Sequence, residues 1–174
     1  MTKPFTMANK FPFEKRINEM KRVAQQLMQR APTLASDIAL KEFKRNFQAQ
    51  GLRVSEGQVQ KWQPRQLKGS LPPRPILSKT GDLRDHMRSQ PAPGMAKVVS
   101  PTPYARIHNR GGRMRGQMRA YSTNRKSGKT RLRPSGSPAH MPARPFMVTT
   151  PLLRQKIDQA LHEEGDRLLN NKGL

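Results

Sequence analysis

The sequence predicts an α+β protein in which a small antiparallel sheet packs with amino-terminal and carboxy-terminal helices and carries a long basic loop. Apolar residues recur at helical spacing near both ends, and short strand-like runs in the middle are bounded by proline and glycine. A chain of 174 residues suits a single domain. We assign residues 1–12 to an N-terminal arm, 13–170 to this domain with a basic insert at 113–140, and 171–174 to a C-terminal tail.

Two helices are predicted before Gly51. The first runs from residue 13 to about residue 30, with an apolar stripe of Phe13, Ile17, Met20, Ala24, Leu27 and Met28. Proline lacks the backbone N–H that a helix interior needs, so we expect a break at Pro32. Thr33 then caps a second helix, which buries Leu34, Ile38, Leu40, Phe43 and Phe47 and ends at Gly51. We expect both stripes to lie in the core.

The middle of the chain is expected to be irregular. Residues 61–75, KWQPRQLKGSLPPRP, read as an extended connector pinned by Trp62, the only tryptophan. A turn at Thr80-Gly81 precedes a helical turn or a strand, residues 95–100 form a short strand, and residues 104–108 continue a sheet or form a helical turn. Near the end, Thr150 followed by proline predicts the start of a helix that runs to about Leu169.

The charge of the chain is strongly basic. Its 34 Lys and Arg residues against 11 Asp and Glu residues give a net charge of +23, which favours a polyanionic partner. No acid occurs from residue 86 to residue 157. We therefore predict that the insert contacts either nucleic-acid backbone or an acidic neighbouring subunit. The sequence does not distinguish between these two partners. Its partner- or DNA-facing candidates are Arg113, Arg115, Arg119, Arg125, Lys126, Lys129, Arg131 and Arg133.

Several kinds of chemistry are disfavoured by the sequence. The tetrapeptide SGKT at 127–130 resembles the end of a phosphate-binding loop, but Thr123 stands where that motif needs glycine. Four histidines without close helical spacing, and no cysteine, make a poor metal site. No Gly-x-Ser-x-Gly nucleophile motif and no membrane-spanning apolar run occur. We expect no enzyme activity, catalytic residue, metal, cofactor, small-molecule substrate or membrane contact.

Three motifs occur in a characteristic order: ILSKTGDLRDHM at 76–87, YARIHNRGG at 104–112 and MPARPFM at 141–147. Together they resemble the bacteriophage virion morphogenesis family, the Mu-type tail-completion or neck proteins, over roughly residues 33–165. The resemblance implies a corner of a ring-forming subunit, with a return strand anchored near residue 145. The structural residues it implies are Thr80, Gly81, Leu83, Tyr104, His108, Gly111, Gly112, Arg144, Pro145 and Phe146.

The resemblance also implies a function: a structural virion protein of the phage neck that completes the tail or joins it to the head. Copies would form a ring around the DNA channel and contact an adaptor, a stopper or a tail terminator, and the insert would meet protein or DNA backbone. Such a protein is assembled in the host cytoplasm and resides in the virion. The alternative is a basic RNA- or DNA-binding protein such as a ribosome-associated factor, since ribosomal proteins share the charge and the extended arms.

Overall fold

The computed structural model describes residues 11–64, 75–78, 80–113 and 140–171. Its helices and strands confirm the α+β class. The helices are α1 (Phe11–Ala49), α2 (Asp82–Asp85), α3 (Ala105–Arg110) and α4 (Pro151–Asn170). The strands are β1 (Gly51–Ser55), β2 (Gln58–Lys61), β3 (Arg88–Ser89), β4 (Val98–Val99), β5 (Gly112–Arg113) and β6 (His140–Met141).

The expected break at Pro32 is wrong, because α1 is one helix of 39 residues that passes through this proline. An interior proline costs a helix about 3 kcal/mol, so packing must offset that loss. Helix α4 supplies this packing by lying antiparallel along both sides of Pro32. Its Glu164 forms an ion pair with Arg30 before the proline, and its Lys156 forms one with Glu42 after it.

The prediction that both apolar stripes lie in the core holds for the second stripe only. Phe43 and Phe47 are buried, with 8% and 2% of their surface exposed. In the first stripe Phe13, Met20 and Met28 are exposed, at 68%, 56% and 73%. Helix α4 ends too early to cover Phe13 and Met20, as described below, whereas Met28 is exposed although α4 still runs beside this part of α1.

Residues 51–61 form the hairpin β1–β2, which we did not predict from the sequence. The strands pair antiparallel through a two-residue turn whose Gly57 has φ of +84°. Gly51 sits so close to β2 that a Cβ atom there would lie 2.5 Å from the Gln60 carbonyl oxygen. Trp62 follows directly and is buried, as expected for the residue that pins the connector. Residues 65–74 of that connector lie outside the described residues.

The remaining described strands are two residues long and form two further antiparallel pairs, β3–β4 and β5–β6. The expected strand at 95–100 is present as β4, and the stretch that begins at Tyr104 forms helix α3. Helix α4 begins as predicted, with the Thr150 hydroxyl oxygen accepting from the Leu153 N–H. The central core cluster contains Phe43, Phe47, Trp62, Leu83, Met87, Ala105, Phe146 and Leu153.

Candidate functional site

Residues 144–147, which we call the corner segment, lie at the centre of the core. Phe146 is completely buried, and its ring centroid lies 5.1 Å from that of Phe47. Phe47 in turn contacts Trp62 edge to face at 5.6 Å. Aromatic pairs at these distances stabilise beyond the apolar area that they bury. The corner segment thus joins α1 and Trp62 through one aromatic cluster, and Leu153 links the start of α4 to the same core.

Side chains satisfy most of the backbone groups of residues 145–147 in the corner segment. The Asn109 Oδ1 atom accepts from the N–H groups of Phe146 and Met147 at 2.8 and 2.9 Å. The Asn109 Nδ2 atom donates to the Met147 carbonyl oxygen at 3.4 Å. Buried backbone groups need such partners, because each one left unpaired costs free energy comparable to a missing hydrogen bond. One amide side chain of α3 therefore holds two consecutive residues.

Two further side chains hold the same segment, one from α1 and one from the residue that follows β2. Asn46 Nδ2 donates to the Phe146 carbonyl oxygen at 3.0 Å, and Trp62 Nε1 donates to the Pro145 carbonyl oxygen at 2.9 Å. The other end of the Asn46 amide accepts from the Arg53 N–H at 3.1 Å, which ties β1 to the corner. Neither asparagine was singled out from the sequence, because an isolated Asn carries no pattern that distinguishes it from a surface residue.

The second motif, residues 104–112, lies against the corner segment and the strand that precedes it. The His108 carbonyl oxygen accepts from the Arg144 N–H at 2.8 Å, and Gly112 pairs with Met141 across β5–β6. Gly111 has φ of +72°, and a Cβ atom there would lie 2.8 Å from the Ala143 backbone nitrogen. Only glycine combines this left-handed conformation with so close an approach of two backbones.

Two side chains fill the contact between the second motif and the corner segment: Arg144, which is buried, and His108, which is half-buried. Arg144 is 6% exposed, and its Nε and Nη1 atoms donate to the Gln63 carbonyl oxygen and the Met141 Sδ atom. Tyr104 is 40% exposed and stacks edge to face on the His108 ring at 5.8 Å. The His108 Nδ1 atom is buried without a hydrogen-bond partner among the described residues. Burial and the Arg144 charge both lower the pKa of His108 below its usual 6.5.

This lowered pKa predicts a loss of stability in mild acid. A histidine whose pKa is lower in the folded state binds more protons when unfolded, so its contribution is complete above about pH 6.5 and is lost as the pH falls through the folded pKa. We expect the free energy of unfolding to fall as the pH drops below about 6.5, and His108→Gln to reduce that fall. Urea unfolding at pH values above and below about 6.5 measures it. His162→Gln, at an exposed position of α4, should retain the dependence of the parent protein.

The first motif also contributes to this core. Gly81 has φ of +83° and precedes α2, where its carbonyl oxygen accepts from the N–H groups of Arg84 and Asp85. The Thr80 hydroxyl contacts the Asp82 carboxylate at 2.6 Å. Leu83 is 3% exposed and belongs to the central cluster with Phe146 and Ala105. One residue from each of the three motifs therefore meets in one core.

A buried carboxylate, not singled out from the sequence, lies beside this core. Glu42 is 5% exposed and forms ion pairs with Arg45, Arg53 and Lys156 at 2.5, 2.8 and 2.8 Å. Burial alone would raise its pKa, but hydrogen bonds from Lys156 and Arg45 and the nearby positive charges outweigh that effect and lower it. The pairs connect α1 with β1 and α4, so Glu42 is a structural charge.

The ends of the basic insert are brought together at the corner. Arg113 is exposed and pairs with His140 across β5–β6, so the chain leaves the core and returns to it at one place. The other partner- or DNA-facing candidates lie outside the described residues: Arg115, Arg119, Arg125, Lys126, Lys129, Arg131 and Arg133.

Among the described residues, no group of three or more His, Cys, Asp or Glu side chains is placed to hold a metal ion. None of the described helices is both long and apolar enough to cross a bilayer. The motif residues instead contact the backbone and core of their own chain. Fold and corner together define a small α+β protein whose motif residues build its architecture.

Comparison with known proteins gives the family. The sequence profile of the phage virion morphogenesis family matches residues 13–164, and the chain belongs to that family. Its role is therefore in the morphogenesis of the phage virion. The searches of curated proteins and of solved structures returned no match.

Proposed function

We propose that this protein is a structural component of the phage neck, which completes the tail or joins it to the head and has no catalytic turnover. Copies form a ring around the channel through which DNA passes, and the ring contacts an adaptor, a stopper or a tail terminator. Family membership and the convergence of the three motifs on one core support this role. The observation that carries it furthest is the β5–β6 pair, which anchors both ends of the basic insert at the corner.

The insert is the part of the subunit that meets a partner. Residues 114–139 contain seven Lys or Arg residues and no acid. Ordering a backbone costs about 1–2 kcal/mol per residue, and a segment with so few apolar residues cannot offset that cost by itself. We propose that an acidic face of an adjoining ring does so. A tight grip on the DNA backbone would hinder DNA that must move through the channel.

Neutralising the insert tests which partner it meets. If protein holds the insert, the quadruple glutamine variant should build heads and tails that fail to join, as scored by electron microscopy of lysates and by plaque count. The variant changes Arg119, Arg125, Lys126 and Arg131. A matched control changes four exposed cations outside the insert and should assemble normally: Arg22, Lys41, Arg106 and Arg154.

The alternatives give different results in the same experiment. If DNA is the partner, particles still assemble, and the plot of log binding constant against log salt flattens by about one unit for each phosphate that the variant no longer neutralises. If the protein is instead a basic RNA- or DNA-binding factor, purified particles contain no ring of its copies, and it cosediments with nucleic acid in the lysate. A reconstruction of the particle in which identical copies surround the channel supports the neck assignment.

A further inference from the structure

The amino-terminal part of α1 protrudes beyond the rest of the described fold. Leu27 lies next to Gly165 of α4, and Arg30 pairs with Glu164. Because the helices are antiparallel, α4 continues for only five residues beyond Gly165, whereas α1 has sixteen residues before Leu27. At about 1.5 Å per residue, α1 therefore extends roughly 16 Å past the end of α4.

This protrusion carries an apolar stripe, which we call the ridge. It consists of Phe13, Ile17 and Met20 on the protruding turns and of Ala24 beside the end of α4, and the spacings of four, three and four residues place them on one face of the helix. Phe13 and Met20 are 68% and 56% exposed, and Ala24 is exposed as well. A stripe with this spacing is the seam with which a helix packs against a second helix.

The charges beside the ridge indicate the orientation of the partner helix. Glu14 and Lys21, seven residues apart, lie along one edge of the ridge, whereas Arg16 lies along the other. In a parallel pair of these helices the two different edges meet, which places Arg16 beside the partner's Lys21. In an antiparallel pair, the edge that carries Glu14 and Lys21 faces the same edge of the partner. Glu14 of each copy then lies beside the partner's Lys21, which gives two attractive pairs.

We propose that the ridge binds the ridge of a second copy of this chain in antiparallel orientation. Ile17 then packs against the partner's Met20, and Phe13 packs against the partner's Ala24, whose small side chain leaves room for the ring. In this register, both pairs of Glu14 with the partner's Lys21 are attractive. Glu14 and Glu19 stand among four cations on this stretch, so its mixed charge suits a partner of mixed charge better than a polyanion.

The proposed contact is independent of the neck ring. A two-fold contact uses the same patch on both copies, so it joins two subunits and does not close a ring. The proposed dimer is therefore a form of the free protein, outside the ring. About three turns of helix on each copy give an interface well below the roughly 1,600 Å² of a stable complex, so the dimer should be weak and dependent on concentration.

Sedimentation of the purified full-length protein tests the proposal. We expect a monomer at low concentration that converts to a dimer as the concentration rises. Ile17→Glu should keep the protein monomeric. Lys21→Glu and Glu14→Lys should each weaken the dimer roughly tenfold, because two symmetric pairs change from attraction to repulsion. Combining both changes exchanges the charges and should restore the parent dimer.

A matched control and the opposite results complete the test. Lys15 lies on the helix face opposite the ridge, so Lys15→Glu should leave the dimer unchanged. A stronger dimer in Lys21→Glu would mean a parallel pair and overturn the proposal. So would a parent protein that stays monomeric at every concentration, the result expected if residues 1–10 cover the ridge. Glu14 and Lys21 are exposed, so their variants remain informative if Ile17→Glu does not fold.

Discussion

Phe146→Ala should lower the free energy of unfolding by about 3–5 kcal/mol, the usual cost of truncating a core phenylalanine. The ring is completely buried and contacts Phe47 at the centre of the core. The cavity left by the ring also loosens the packing around the hydrogen bonds with which Asn46 and Asn109 hold the corner segment. Since small domains have only about 5–15 kcal/mol of stability, the loss is a large fraction of the total. We expect misfolded subunits, and tails that fail to join heads.

Urea unfolding followed by circular dichroism measures this effect, and complementation of a phage that lacks the gene measures its consequence. Phe13→Ala is the matched control, because the same change at a position with 68% exposure should alter stability by no more than about 0.5 kcal/mol. A Phe146→Ala protein with parental stability and normal virions would show that the corner segment is held in another way.

The second large effect is expected at Glu42. Glu42→Gln preserves the shape of the side chain but removes the counter-charge of Arg45, Arg53 and Lys156. Breaking a buried ion pair costs about 3–5 kcal/mol, and we expect the lower end because the three cations are partly exposed. The variant should therefore be about 3 kcal/mol less stable than the parent protein at neutral pH.

The pH dependence of this difference is a second check. The pKa of Glu42 is lowered in the folded state, so its contribution is present above the ordinary value of 4.5 and is lost as the pH falls through the folded pKa. The difference in unfolding free energy between the parent and Glu42→Gln should shrink in acid. Glu163→Gln, at an exposed position, should match the parent protein at every pH. A difference that does not change with pH would contradict the ion-pair explanation.

The sequence predicted those structural features that depend on residues close together in the chain. The start of α4 was predictable because Thr150 caps the helix with its own hydroxyl and proline occupies the next position. The expected break at Pro32 is wrong because α4 packs along α1 on both sides of the proline. The identity of a single residue contains no information about this packing. The exposure of Phe13 and Met20 has the same origin, since it depends on where α4 ends.

The hairpin β1–β2 has a local signal in the sequence that we did not use. Glu56-Gly57 separates two short runs that each contain valine, and a two-residue turn ending in glycine is typical of hairpins. The corner is different. Family motifs identified Gly111, Arg144 and Phe146, but the partners Asn46 and Asn109 come from positions 100 and 37 residues before Phe146. Contacts over such separations leave no pattern in a single sequence.

The corner also determines when the chain can fold during its synthesis. Its segment is held by groups that precede it by 37, 83 and 100 residues, and the core is completed only by Leu153 of α4. At about 5–20 residues per second, synthesis of these 174 residues takes roughly 10–35 s, and for much of that time α1 can pack against the hairpin β1–β2 but not yet against the corner segment or α4. The basic middle of the chain leaves the ribosome before the core closes. The central core can therefore close only after the first turns of α4 have been synthesised.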